Sequence, residues 1–285
     1  DRAEYLDLVT AQDAGRGGRD DDRIPRLQCG LCGGGRTLQA AGQGTRATRR
    51  GAHRKRRPRK PLPGMMLHQD GSTHEWVPGQ QWDLIVTLDD ATTELYSAFF
   101  VEEEGTMSSL QGLREVIGTK GLFSSLYADR GSHYWHTEEA GGKVDKPRLT
   151  QVHRALQQLG ITLIPAYSPE ARGRSERAFR TLQDRLPNEL ALAGITEMAA
   201  ANRYLTEQFL PQHNERFMVR ATEPGTAFIP WVGTHLPEIL CVQEERVVAK
   251  DNTVRYQGLS LQIPQDPHRF HYVKVIVRVH EYPEG

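Results

Sequence analysis

The chain has 285 residues, of which 25% are charged and 38% hydrophobic, an ordinary balance for a soluble globular protein. Its formal net charge is zero, and its length allows a main domain with satellites. No apolar run approaches the roughly 18 residues of a spanning helix and nothing at the start reads as a signal peptide, which argues against a membrane role and for a cytoplasmic location.

Taken in chain order, residues 1 to 45 read as irregular. Gly30, Gly33, Gly34, Gly35, Gly42 and Gly44 break any helical period, and apolar anchors are few. Cys29 and Cys32 form a CxxC pair, but a structural zinc takes four ligands and no second pair follows. With Cys241, the three cysteines make no disulfide framework. Residues 46 to 60 contain nine Lys or Arg and no acid, residues 1 to 45 sum to −1, and residues 61 to 285 therefore carry −8. A basic arm thus precedes a mildly acidic body. Arg54, Lys55, Arg56, Arg57, Arg59 and Lys60 in that arm are candidates to neutralise DNA phosphates; the bland reading is a solvated linker.

From residue 61 to about 230 the texture is that of a folded α/β domain. MMLHQDGSTHEW, QWDLIVTLDDAT and LYSAFFVEEE read as three strands of an antiparallel meander, with Pro78-Gly79 as the first turn. A helix is expected from Met107 to Lys120, with Leu110, Leu113, Val116 and Ile117 on one face. LFSSLYAD is a buried strand ending at Asp129, and Leu149 to Leu159 a helix closed by Gly160. ITLIPAY is a fifth strand, followed by helices over about Arg172 to Ala193 and Thr196 to His213. The order βββαβαβα is the ribonuclease H-like arrangement, a mixed sheet flanked by helices. Residues 231 to 285 read as a small β domain with a hairpin turn at Asp251-Asn252, expected to continue past residue 285 because its last strand would leave an open edge.

Three acids occupy informative places in this layout. Asp70 lies within the first strand, Asp129 ends the fourth, and Glu176 falls in the first turns of the long helix. Strand ends and adjacent helix starts line the crevice of an open sheet. Phosphodiester cleavage charges both the attacking and the leaving oxygen, and two Mg²⁺ ions held by carboxylates can stabilise both. Asp89 and Asp90, at the end of the second strand, are read as turn residues, and Glu102, Glu103 and Glu104 as a solvated strand end. Glu170 is read as helix N-terminal charge. Arg172 and Arg174 could hold DNA phosphates; for Arg177 and Arg180, pairing with Glu176 and Asp184 along the helix competes with that role. His74 and His133 are read as incidental, and the four Trp as too dispersed for a base-stacking platform.

HQDGSTHEW, LYADRGSHY and YSPEARGRSERAFRTLQ resemble the three signature blocks of the integrase-core DDE transposases, the bacterial insertion-sequence relatives of retroviral integrases. Tyr167, Ser168, Pro169, Gly173 and Glu176 match the last block position by position, and the resemblance covers roughly residues 65 to 230. It implies Asp70, Asp129 and Glu176 as catalytic metal ligands for two Mg²⁺ or Mn²⁺ ions, 3′-end cleavage followed by strand transfer, and a homo-oligomer acting on transposon ends and target DNA in the bacterial nucleoid. No small-molecule substrate or nucleotide cofactor is implied. The 46 residues between Asp129 and Glu176 exceed the short-spaced members, and the excess falls on WHTEEAGGKVDKPR, read as a surface loop. A ribonuclease H-like nuclease and a domesticated, non-catalytic DNA-binding protein are the alternatives. The upstream helix-turn-helix pattern that normally reads DNA ends is missing, and residues 10 to 45 are read as a frameshifted stretch.

Overall fold

The computed structural model describes residues 57–137, 142–145, 147–167, 173–264 and 270–283. The expectations for residues 1 to 45, including the Cys29-Cys32 pair and the frameshift, lie outside the described residues, as do Arg54, Lys55, Arg56, Glu170 and Arg172.

The three-stranded meander forms where the alternating sequence places it. β1 (Leu67–Val77) and β2 (Gln80–Asp89) pair antiparallel, and β3 (Leu95–Val101) pairs antiparallel with β2. The β1–β2 link is a Pro78-Gly79 turn whose glycine has φ +78°, a conformation costly for a residue with a Cβ. β4 (Ser125–Ala128) then joins the other side of β1 in parallel, and β7 (Thr162–Pro165) joins β4 in parallel. The resulting order β3-β2-β1-β4-β7 puts β1 at the centre of a five-stranded mixed sheet. This is the ribonuclease H-like α/β topology.

Helices cover both faces, over the apolar runs of β2 and β3 beside the more polar β1. On one face α1 (Thr106–Lys120) and α2 (Gln151–Gln158) present Leu110, Leu113, Val116, Ile117, Val152 and Leu156 to Leu67, Leu126 and Leu163. On the other, α3 (Ser175–Leu192) buries Phe179, Leu182, Leu186 and Leu190, a 3.6-type stripe, against Trp76, Leu84, Val86 and Phe100. α4 (Met198–Tyr204) and α5 (Leu210–Phe217) extend that layer through a π-helical turn over Leu205–Phe209. Pro211, one residue into α5, lacks the N–H that a regular helix would need there, and the wider turn accommodates it. None of the described helices is long and apolar enough to cross a membrane.

Two segments depart from the sequence reading. Part of the stretch read as a loop between β4 and α2 folds into a small ladder, β5 (His136–Thr137) with β6 (Val144–Asp145), while Trp135 beside it is buried and meets His153 of α2 edge-on. In the C-terminal part, a turn does form at Asn252 (φ +61°), but the strands flanking it pair elsewhere. β8 (Val242–Val247) pairs with β11 (Ile276–Glu281), and β9 (Thr253–Tyr256) with β10 (Leu259–Gln262). The tight hairpin lies at Gln257-Gly258, whose φ values of +45° and +82° fit a type I′ turn, the one whose twist matches its strands. The C-terminal part is tied to α2: Gln151 exchanges hydrogen bonds with the Gln243 backbone, and Arg154 donates to the carbonyls of Ile239 and Cys241. A short α6 (Leu236–Ile239) precedes it.

Candidate active site

β1 and β4 run in parallel with Leu67 opposite Leu126 and His68 opposite Tyr127. The same offset, continued two residues, sets Asp70 level with Asp129. Two residues along a strand return a side chain to the same face, so the two carboxylates share the face on which the His68 and Tyr127 rings already meet edge-on, 5.1 Å apart. The ladder stops at His68, and the strands part beyond it. Asp70, within β1, and Asp129, just past the end of β4, therefore stand immediately beyond the paired ladder. Asp70 is buried, 8% exposed, and Asp129 Oδ1 accepts the Gly131 N–H at 2.8 Å, which orients it in the first bend after β4.

α3 lies on that same face. Arg174, at its N-cap, reaches Asp90 beside His68, while Gln183 donates to Ser72 Oγ at 2.9 Å. Nine helical residues and four strand residues each span about 13 Å. The helix thus runs alongside β1, and Glu176 and Asp70 both fall within the shared stretch. Glu176 sits in the first turn with its side chain exposed. Among the described residues no three His, Cys, Asp or Glu side chains stand close enough together to hold a metal ion. The register sets Asp70 level with Asp129 and α3 starts on the same face, but the described side chains do not close a cage.

Glu104 departs from the reading of Glu102, Glu103 and Glu104 as a solvated end. Glu102 and Glu103 are exposed, but Glu104 folds back on β1. A Cβ on Gly71 would fall 2.2 Å from Glu104 Oε2, so a side chain there would push that flexible carboxylate aside. His133, read as incidental, stands with Nε2 3.5 Å from Glu104 Oε1. Beneath them Tyr134 donates to Gln69 Oε1 at 2.8 Å. Burial pushes the Tyr134 hydroxyl well above its ordinary value, and the nearby Glu104, Asp70 and Asp129 charges push the same way. It stays a protonated donor.

Asp89 and Asp90 are structural, and more deeply so than turn residues need be. Asp89 accepts N–H donors from Gly64, Ala91 and Thr92, closing the β2–β3 connection. Asp90 is fully buried, and its Oδ1 receives Arg57 (2.5 Å), His68 Nε2 (2.8 Å) and Arg174, while Oδ2 receives the Lys60 N–H at 2.8 Å. Burial opposes its ionisation, yet His68, Arg57 and the Lys60 N–H together hold its carboxyl below the ordinary range. Arg59 donates to the Asp90 carbonyl at 3.1 Å. Arg57, Arg59 and Arg174, expected to face DNA phosphates, thus each contact Asp90, with Arg57 still 41% exposed.

No family model matches the chain. A protein of Sinorhizobium fredii assigned as a transposase, y4bF, is 30% identical over 247 residues, which is 85% of this chain and 53% of the relative. The transposase for insertion sequence IS1202 of Streptococcus pneumoniae is 30% identical over 161 residues, 56% of this chain and 34% of the relative. By sequence, this chain is similar to these two transposases. It spans about half the length of the y4bF transposase and a third of the IS1202 one. Among solved structures, the simian T-cell lymphotropic virus intasome has a chain with 16% identity and a TM-score of 0.43 over 73% of this chain and 70% of that one. The catalytic core domain of the HTLV-2 integrase, solved with magnesium, gives 14% identity and 0.39 over 52% and 88%. Both likenesses are distant. The sequence reading missed the contacts of Glu104 and the reach of Asp90. Gly71 and Gly131, which admit close contacts at the site, were the signals available.

Proposed function

We propose that this chain carries the catalytic core of a DNA transposase, with Asp70, Asp129 and Glu176 as the carboxylates that hold divalent metal, Mg²⁺ or Mn²⁺, two ions in the working complex. The observation that carries the reading is the β1–β4 register, which levels Asp70 with Asp129 on the face that α3 covers. The donor set suits the ion: hard carboxylate oxygens match the preference of Mg²⁺. Bound there, the ions would supply positive charge to the attacking and leaving oxygens of a phosphodiester.

The chain's own residues do the positioning. β1 at the sheet centre fixes Asp70, the Gly131 N–H aims Asp129, and the exposed Glu176 is the ligand free to adjust. Three carboxylates without a cation repel one another, which is consistent with a cage that stays open until metal and DNA arrive. Water is the first nucleophile, freeing a 3′-OH at the element's end, and that hydroxyl then attacks the target phosphodiester. The basic stretch over residues 46 to 60 neutralises backbone phosphates, with Arg54, Lys55, Arg56, Lys60 and Arg172 as the candidates. Because two DNA ends must be joined, the working form is a homo-oligomer on DNA, in the cytoplasm of a bacterial cell.

The test is Mg²⁺-dependent cleavage and strand transfer on duplexes carrying candidate terminal repeats. Asp70→Asn, Asp129→Asn and Glu176→Gln should each lower both steps by about a thousandfold or more with circular dichroism and melting temperature retained. Nicking without strand transfer would move the assignment to a nuclease, and binding without cleavage to a non-catalytic DNA-binding protein.

A further inference from the structure

Each of the three proposed metal ligands is preceded, two residues earlier, by a side chain belonging to one connected cluster. His68 precedes Asp70, Tyr127 precedes Asp129 and Arg174 precedes Glu176. His68 and Arg174 both donate to Asp90 Oδ1, and the His68 ring meets Tyr127 edge-on at 5.1 Å. On the two strands, the two-residue step puts these supports on the same face as the acids, one row deeper. The Asp90 side chain is fully buried, those of His68 and Arg174 are 2% and 18% exposed, and Arg174 also donates to the Arg57 carbonyl at 2.8 Å.

We infer that Asp90 is a positioning residue for the metal site, fixing the start of α3 against β1 so that Glu176 stays level with Asp70 and Asp129. The inference deepens the transposase reading and rests on it for the identity of the three ligands. The physical need is plain. The α3 N-cap residue is Arg174 itself, in helical conformation and without a side-chain cap, so the first turn lacks the usual polar anchor at its own end. The Arg174–Asp90 ion pair supplies that anchor from the turn just past β2. Because Asp90 shares one oxygen between Arg174 and His68, displacement of the helix start is felt in the strand that bears Asp70. Neither Asp90 nor Arg174 is itself a ligand here; both act through others.

The experiment compares Arg174→Met and Arg174→Lys with the full chain by hydrogen exchange and by Mn²⁺ titration, the metal being followed by its paramagnetic resonance signal. Leu190→Ala, buried at the far end of α3, controls for general destabilisation. Arg174→Met should lose protection in the first hydrogen-bonded turn, residues 178 to 181, while β1 and β2 keep theirs, and Mn²⁺ affinity should fall about 10- to 100-fold, the usual cost of removing a residue that orients ligands. Arg174→Lys should restore part of both, and Leu190→Ala should weaken neither at matched stability. Asp90→Asn should repeat the Arg174→Met pattern if it folds. Unchanged first-turn protection in Arg174→Met, or equal loss in Leu190→Ala, would overturn the inference. Local loss of protection in a protein that binds no Mn²⁺ even as wild type would confirm the anchoring of α3 and overturn the metal-site reading instead.

Discussion

At the scale of single residues, two positions are decided by contacts that no local pattern announces. Asp90 draws its donors from 33, 22 and 84 residues away, so its sequence context showed only a strand end. Removing one member of a buried ion cluster leaves uncompensated charge, and Asp90→Ala should cost about 3 to 5 kcal/mol, visible as a lower urea midpoint; an unchanged midpoint would refute the buried hub. Gly121 is the second. Its φ is +101°, and a Cβ there would fall 2.4 Å from the Ile229 carbonyl oxygen, a backbone atom with little freedom to move. Gly121→Ala should therefore lower stability by about 2 to 3 kcal/mol by breaking the Leu122–Ile229 bridge, read from the melting temperature. The catalytic candidates were more legible, because Asp70, Asp129 and Glu176 sit within recognisable blocks. Glu104 was not, since its approach to Gly71 joins residues far apart in sequence.

At the scale of elements, periodicity was a good guide wherever one face is buried. The stripe Phe179, Leu182, Leu186, Leu190 and the alternation in β2 each specify their element and its orientation. It failed where pairing is decided at a distance: the strands around Asn252 look like hairpin partners, yet β8 finds β11 instead. The helical layer also carries a pH dependence. His213 in α5 is 4% exposed beside Phe209 and Phe217, and burial, assisted by the Arg185 charge, lowers its pKa from 6.5 to about 4. The folded protein thus keeps His213 neutral while the unfolded chain protonates it below pH 6.5. The contribution is whole above that pH and falls as pH drops towards 4, by at most about 1.4 kcal/mol per unit. His213→Phe should flatten the loss of stability between pH 6.5 and 4 in urea titrations. An identical slope would show that His213 is not its source.

For the whole molecule, charge is divided between an acidic body and a basic stretch before it, and three of the candidate cations have described partners. Arg57, Arg59 and Arg174 contact Asp90. If residues 46 to 60 bind phosphates, replacing Arg54, Lys55 and Arg56 with Gln should make the slope of log affinity against log salt shallower by about 2.7, from 0.9 per phosphate contact on duplex DNA. Arg57→Gln should change that slope little and lower stability instead. The ribonuclease H-like order was legible from the run of strands and helices, because three antiparallel strands followed by alternating helix and strand leave few other arrangements. The metal cage was not fully legible even in the folded chain, where Glu176 remains exposed in the first turn of α3. The most direct measurement is Mg²⁺-dependent 3′-end cleavage and strand transfer by the full chain, with Asp129→Asn as its partner experiment. Mg²⁺-dependent joining of the cleaved end to target DNA, abolished by Asp129→Asn, is the predicted result; equal activity with and without that carboxylate would contradict the account.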